Sequence, residues 1–496
     1  MVNKLQKGFQ KFLNSEKPYP ILSAIAAGLY PILFYYSRNF NLINTWEHLG
    51  YFVFCFLAIP TAVFWLSNKL IKLKLLRKWK VYLIPFLNVF TFLFLLKICL
   101  YAGIQKKLMV VIFVAAILFA LFLHKQIKKL VVLELFLAIL VLFVLIPELF
   151  KSLYLSEAWT KQQDTISEVI FKKTPNVYLI QPDGYVNYSE LKTGFYNYNN
   201  DSFEGKMDSF GFENYPDFRS NYATTLSSNS ATFAMKHHYY GNGADLSEGF
   251  NARKVIISQN PVLDVFRKNE YITHFISEKP YLLLNRPKVG YDESNFDVNE
   301  IPYISTGLKG EKNVLDGLSK SLGNNFDAKN HFFFIEFFNP GHISNIEMDS
   351  SGKEGERLEW LSSLERANEK LLALVKSIKE KDSNSLIIIM ADHGGFVGMD
   401  YSRQIYTKTE DRDLIYSIFS SNLSIHWPNN ERPEFDSQLK SSVNVFRIIF
   451  SYLSEDDSYL LNLQENASFV IIKKDAPVGV YKYIDEAGDI VFEKVE

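Results

Sequence analysis

Leu386-Ile-Ile-Ile-Met-Ala-Asp-His-Gly-Gly395 is the stretch on which the reading of this chain turns. Its apolar, β-branched run predicts a strand buried on both faces of a mainly parallel sheet. Ligands of open α/β sheets gather beyond the carboxyl ends of the strands, and here that end carries Asp392 and His393. The carboxylate is a hard oxygen donor and the imidazole a borderline nitrogen donor, a pairing suited to a divalent ion. Gly394 and Gly395 permit positive φ and close backbone approach. An isolated Asp-His-Gly is equally a strand-to-helix turn with a capping Asp, so partners elsewhere decide its meaning.

Upstream, Asn176 to Gln181 reads as a second apolar strand, stopping at Pro182 and followed by Asp183 and Gly184. A third, His331 to Phe338, ends at Asn339-Pro-Gly341 and presents His342. Three strand ends therefore deliver Asp183, His342 and the Asp392–His393 pair to loops. Between the first and second of these, Ser220 to Met235 is rich in hydroxyls and opens a helix. Such a hydroxyl serves as an N-cap; at a helix amino end beside a divalent ion it can also attack a bound anion. Glu356 to Ile378 is expected to be an amphipathic helix feeding the Asp392 strand, and Ser441 to Leu453 another helix. Leu414 to Ser420 is expected in the sheet, Tyr401 to Asp413 as a mobile charged stretch, and Phe469 to Phe492 as short strands broken at Asp475-Ala-Pro and Glu486-Ala-Gly-Asp.

The first 150 residues are of another kind. Five apolar segments, Tyr19–Tyr36, Leu49–Leu66, Val81–Leu100, Leu108–Leu123 and Leu130–Phe150, approach the roughly 20 residues that span a bilayer. Lys97 and Glu134 inside them are expected to snorkel or face the bundle. Thirteen basic residues lie before the first segment (Lys4, Lys7, Lys11, Lys17) and in alternate loops: Lys69, Lys72, Lys74, Arg77, Lys78 and Lys80, then Lys125, Lys128 and Lys129. The other loops hold three, Arg38, Lys106 and Lys107. The positive-inside rule then places the chain after Phe150 outside the cytoplasm, with the first segment an uncleaved anchor. The expected layout is a transmembrane anchor at 1–150, an amphipathic connector at 151–174 and an extracytoplasmic catalytic domain at 175–496, in a multi-pass protein of the cell membrane.

Both cysteines, Cys55 and Cys99, fall in apolar segments, so the outer part has neither disulfides nor thiol ligands. A formal net charge of −1 and the lack of a basic face exclude a nucleic-acid partner. Paired repeats with broken helices, the mark of a transporter, are lacking as well.

Taken together, Pro182-Asp-Gly-Tyr185, Ser220-Asn-Tyr-Ala-Thr-Thr225, Asn339-Pro-Gly-His342, Ala391-Asp-His-Gly394 and Ser442-Val-Asn-Val-Phe-Arg447 resemble the sulfatase-like branch of the alkaline phosphatase superfamily. Within it, the likeness is to membrane-anchored enzymes related to lipoteichoic acid synthases and phosphoethanolamine transferases. The resemblance spans about 175–457 and implies an α/β sandwich with a mainly parallel central sheet behind a five-helix membrane bundle. It implies Thr225 as a nucleophile that also ligates the metal, with Asp183, Asp392 and His393 as the other ligands. It further implies His342, Asn221 and Asn339 toward the substrate, and one divalent cofactor (manganese, magnesium or zinc). The implied partners are the bilayer and a membrane lipid or surface glycan. The Cys/Ser-x-Pro-x-Arg motif of formylglycine sulfatases does not surround Thr225. The first acid is Asp where polymer synthases often carry Glu, and a second-metal ligand set is not recognisable. Transfer of a phosphoryl-based group, of phosphoglycerol or phosphoethanolamine type, is the expected chemistry. Hydrolysis of a sulfuric ester or phosphodiester on the same fold and an inactive polymer-binding domain are the alternatives.

Overall fold

The computed structural model describes residues 10–73, 77–101, 105–154, 157–241, 251–323, 326 and 329–495. Lys4, Lys7 and Lys74 of the charge pattern lie outside them. The chain divides into two compact units, Met1–Leu155 and Ser156–Glu496.

In the first unit, α1 (Pro20–Asn39), α2 (Trp46–Leu70), α3 (Lys80–Leu100), α4 (Lys106–Leu123) and α5 (Ile127–Tyr154) coincide with the five apolar segments. By length and composition four stretches could cross a membrane, the last being the continuous Lys106–Phe150. That stretch is broken by the non-helical Leu123 (φ −119°, ψ 11°) and a tight turn at His124–Gln126. Helix α2 is π-wound at Phe54–Ala58, ahead of Pro60, which brings no N–H to the ladder. Glu134 is buried and accepts a hydrogen bond from Asn88 Nδ2 at 2.9 Å, which also reaches Ser23 O at 3.0 Å. It faces the bundle, as does the buried Lys97.

The second unit is built on a seven-stranded sheet. Its strands are β1 (Val177–Pro182), β2 (Phe212–Asn214), β3 (Ile272–Ser277), β4 (Glu293–Ser294), β5 (His331–Phe337), β6 (Leu386–Met390) and β7 (Leu423–His426), in the order β2-β7-β6-β1-β5-β3-β4. Strand β1 lies between β5 and β6, parallel to both, and the parallel run continues to β3 and β4; only β7 is antiparallel to the rest. Every residue of β1, β5 and β6 is buried. Alternate side chains therefore serve two faces. One face sets Tyr178, Ile180, Phe333, Ile335, Ile387 and Ile389 among Leu364, Leu371 and Val375 of a long covering helix. The other stacks Phe332 on Phe266 at 4.0 Å and sets Phe334 against Phe233 at 5.0 Å.

Seven of the unit's helices matter here: α6 (Thr225–Ala234), α7 (Ala252–Ile257), α8 (Pro261–Lys268), α9 (Val314–Ser321), α10 (Gly352–Lys381), α11 (Arg412–Phe419) and α12 (Val445–Ser454). The tail is a separate antiparallel sheet, β8 (Ser468–Ile472), β9 (Gly479–Ile484) and β10 (Ile490–Lys494), turning at the two places expected.

Three expectations are corrected. Leu414 to Ser420 lies mostly in α11, because Asp411 accepts hydrogen bonds from the amides of Asp413 and Leu414 and Ile415, Ile418 and Phe419 follow at helical spacing. The neighbouring place in the sheet is taken by β7, between β2 and β6. Tyr401 to Asp413 is tied down: Ser402 N donates to Ser344 O at 2.8 Å, Ser402 Oγ to Asn345 Oδ1 at 2.9 Å, and Ile405 is buried. The connector is not an amphipathic helix. After α5 it has only short turns at Glu157–Thr160 and Thr165–Glu168, and Arg447 grips Asp164 and Gln162.

Candidate metal centre and nucleophile

Strands β1 and β6 are neighbours in register, Ile180 opposite Ile389, so the residues just past their ends meet. Asp183, Asp392 and His393 each offer a ligand atom, all within 4.8 Å of one another. They are 7%, 1% and 1% exposed. His393 Nε2 lies 3.5 Å from Asp183 Oδ1 and 3.4 Å from Asp392 Oδ2. Those same two carboxylate oxygens have no hydrogen-bond partner among the described residues. The other oxygen of Asp392, Oδ1, is fixed by the amides of Gly184 and His393, both at 3.1 Å.

The second imidazole nitrogen settles the fit of a cation. His393 Nδ1 is 2.8 Å from Gly394 O, a carbonyl that can only accept, so Nδ1 carries a proton, and in the neutral ring Nε2 is the lone-pair nitrogen that faces the two carboxylates. Three electron-rich atoms converging in a buried place suit a divalent ion held by oxygen and one imidazole. Burial first, and the charge of Asp392 second, hold the Asp183 carboxyl well above the usual range; His393 and Lys279 pull the other way. Beneath this cluster, Glu336 of β5 is fully buried and accepts from Ser277 Oγ at 3.1 Å. Burial, then Asp183 and Asp392, keep it well above the ordinary carboxylate range.

Two glycines are required by close approach. A Cβ on Gly395 would lie 2.2 Å from Trp360 Nε1, and one on Gly394 2.3 Å from Ser417 O. Neither has positive φ; the left-handed residue is the following Phe396, at φ 62°. Gly184 is left-handed (φ 67°), and a Cβ there would meet Gly341 O at 2.1 Å. The β1 and β5 end loops thus interlock backbone to backbone.

Thr225 is the first residue of α6, and its Oγ1 lies 3.3 Å from His393 Nε2. Thr224 is the extended N-cap residue, yet its side chain caps no amide and turns to Ser227 Oγ at 3.1 Å. The first-turn amides of α6 therefore have no side-chain cap, and they open beside the carboxylate cluster. His342 is exposed. Its Nδ1 is 2.7 Å from Ile343 O, and its ring centroid is 6.1 Å from that of His393. Phe396 stacks against both imidazoles, at 5.5 Å and 5.1 Å.

Asn221 and Asn339 are placed otherwise. Asn221 Nδ2 donates to Ala467 O, while its Oδ1 accepts from Ser442 Oγ and Val443 N. Asn339 Nδ2 donates to Ser363 Oγ and its Oδ1 accepts from Lys370. Both amides are engaged by the protein, fastening the nucleophile loop to the segments just before α12 and β8 and the His342 loop to α10. These bonds hold the two loops in place. His237 and His238 are buried packing residues, bonded to Glu465 O and Ser227 O. Sequence reasoning missed Phe396 and Lys279, and Lys279 comes to the site only through the fold.

No family model matches the chain, and no curated protein matches it. It is similar to three solved structures worth naming. The C-terminal periplasmic domain of EcEptC from Escherichia coli is 12% identical, over 63% of this chain and 93% of that one, with a TM-score of 0.42. The lipoteichoic acid synthase LtaP from Listeria monocytogenes is 12% identical over 66% and 90%, TM-score 0.42. The integral membrane lipooligosaccharide phosphoethanolamine transferase A from Neisseria meningitidis is 14% identical over 88% and 95%, TM-score 0.41. These likenesses are of fold, and the chemistry rests on the residues of this chain.

Proposed function

We propose that this chain is a membrane-anchored, metal-dependent transferase that moves a phosphoryl-based group to an envelope glycan or lipid through Thr225. The observation that carries the reading is the hydroxyl of Thr225 at the uncapped start of α6, 3.3 Å from His393 Nε2 and over the Asp183–Asp392 cluster. Asp183, Asp392, His393 and Thr225 would hold the ion. When bound, a divalent ion supplies Lewis acidity that eases deprotonation of a hydroxyl and shields charge on the transferring group.

The remaining work falls to the chain. Thr225 gives up its hydroxyl proton to solvent as Oγ1 attacks phosphorus, the new bond to phosphorus forming as the ester bond to the departing alcohol breaks. The α6 amides stabilise the equatorial oxygens, and the alcohol leaves with a proton from His342 or solvent. The acceptor hydroxyl then displaces Thr225 from phosphorus, with proton flow reversed. A threonine cannot become formylglycine, so hydration chemistry of the sulfatase kind is closed at this position. Hydrolysis of a phosphodiester differs only in taking water as acceptor.

The test is mass spectrometry of the purified protein after incubation with a membrane lipid extract. A mass added at Thr225 identifies both nucleophile and transferred group; an unmodified Thr225 under turnover removes the covalent mechanism. The five apolar helices and the asymmetry of basic loops support an outer location for the second unit. A reporter fused after Phe150 is expected to be active only outside the cytoplasmic membrane, and cytoplasmic activity would overturn that topology.

A further inference from the structure

Among the described residues, two of the three buried arginines of the second unit have acceptors on their terminal nitrogens. Arg447 has Asp164, and Arg219 is held by the carbonyls of Asn466 and Asp485. Arg253 differs. It is 7% exposed, its Nε donates to Tyr281 O at 3.1 Å, and its guanidinium carbon stands 4.8 Å from the Tyr281 ring centroid. Among the described residues no carboxylate comes within ion-pair distance, and its two terminal nitrogens have no acceptor. A guanidinium that is nine-tenths buried, held by one bond and a ring face, presents an unused fork of donors.

Its place in the fold is settled from three sides. Helix α7, which carries it, packs on α6 and on the turn Pro280–Leu283. That turn follows the carboxyl end of β3, and Tyr281 packs edge-on to Phe338, the residue just past the end of β5, at 6.1 Å. Ser277, the last residue of β3, is in register with Glu336, whose carboxyl feels Arg253 as well as Asp183 and Asp392. The guanidinium is therefore at the carboxyl rim of the sheet, on the α6 side, beside the strand ends that carry the metal cluster.

We propose that Arg253 is an anion-binding residue that takes the phosphate-type group of the substrate, fixing it beside the start of α6. A planar fork of donors matches two phosphate oxygens at once, and the anion supplies a counter-charge that the described residues do not. The Nε bond and the ring of Tyr281 hold the fork in place before the anion arrives. This deepens the transferase reading, on which its choice of phosphate rests.

The experiment uses the full-length, metal-loaded protein in detergent, with two probes: inorganic phosphate and a soluble glycerophosphodiester. The dissociation constant for each and the melting temperature without either are measured for the parent, Arg253→Met and Arg253→Lys. The parent binds both; tighter binding of the diester marks a lipid head group as the source, tighter binding of phosphate a free ion. Arg253→Met is expected to weaken binding at least tenfold, and Arg253→Lys several-fold. Because the removed charge has no carboxylate partner among the described residues, the probe-free melting temperature of Arg253→Met stays or rises. A parent that binds neither probe, or a methionine variant with unchanged dissociation constants, overturns the proposal. So does a lower probe-free melting temperature with probe affinity retained in Arg253→Lys, which would mark a structural arginine; the lysine variant also decides if the methionine variant does not fold. Failure of the transferase reading looks different: Thr225 gains no mass while phosphate binding still depends on Arg253.

Discussion

Thr225→Ala is expected to abolish turnover, by roughly 10³-fold or more, with bound metal and substrate affinity retained. The effect is large because a covalent nucleophile has no substitute on the same helix. Thr224, its neighbour, is turned to Ser227 Oγ at 3.1 Å and away from His393. Ser228 is a turn away and fully buried, and it donates its amide to Thr224 O to close the first turn. Thr224→Ala should then lose far less. Removing Thr225 Oγ1 takes one contact from His393, whose Nδ1 remain anchored on Gly394 O, so the imidazole keeps its aim. Rate measurements on the two alanine variants, paired with elemental analysis, decide the matter. An active Thr225→Ala beside an inactive Thr224→Ala would shift the nucleophile by one residue.

The parts of the site that were legible in the sequence are those where one strand carries both signals. Strand β6 is apolar throughout and ends in its own ligands, and β1 repeats the pattern with Asp183. Strands β2, β3, β4 and β7 gave no such signal. Three of them are four residues or shorter, and β3 (Ile-Thr-His-Phe-Ile-Ser) hides its burial behind a threonine, a histidine and a serine. Asn221 and Asn339 lie inside motifs that carry the resemblance, whereas the partners that hold their side chains, Ala467 and Ser363, are brought to them by the fold. Lys279 and Arg253 are local blanks for the same reason: a side chain's reach to a site is set by packing of remote elements. The resemblance placed Thr225 before Leu226, and the helix start falls at that same residue.

Asp392→Asn is expected to lose bound divalent ion and activity together while leaving the fold intact. Oδ1 of Asp392 accepts the amides of Gly184 and His393, a task that an asparagine oxygen performs equally well. The substitution changes only Oδ2, which faces His393 Nε2 at 3.4 Å, and replaces an anionic donor with an amide NH₂ that cannot ligate. Asp392→Ala would strand two buried amides as well, at about 1–3 kcal/mol each, and so confound metal loss with instability. In the metal-free protein the direction of the effect on stability reverses. Asp183 and Glu336 are both held above the usual carboxylate range, with Asp392 contributing to each. Groups with raised folded values contribute stability that is present at low pH and lost as pH rises above the ordinary carboxylate range through their raised values. Metal-free parent protein should accordingly weaken as the solution is made less acid, and Asp392→Asn, lacking one of the repelling charges, should weaken less. The same protonation opposes the ion, so affinity of the parent for divalent metal falls as pH is lowered and binding releases protons. Elemental analysis and melting curves with and without chelator, at several pH values, provide the readout; an Asp392→Asn variant with full metal content would remove Asp392 from the ligand set.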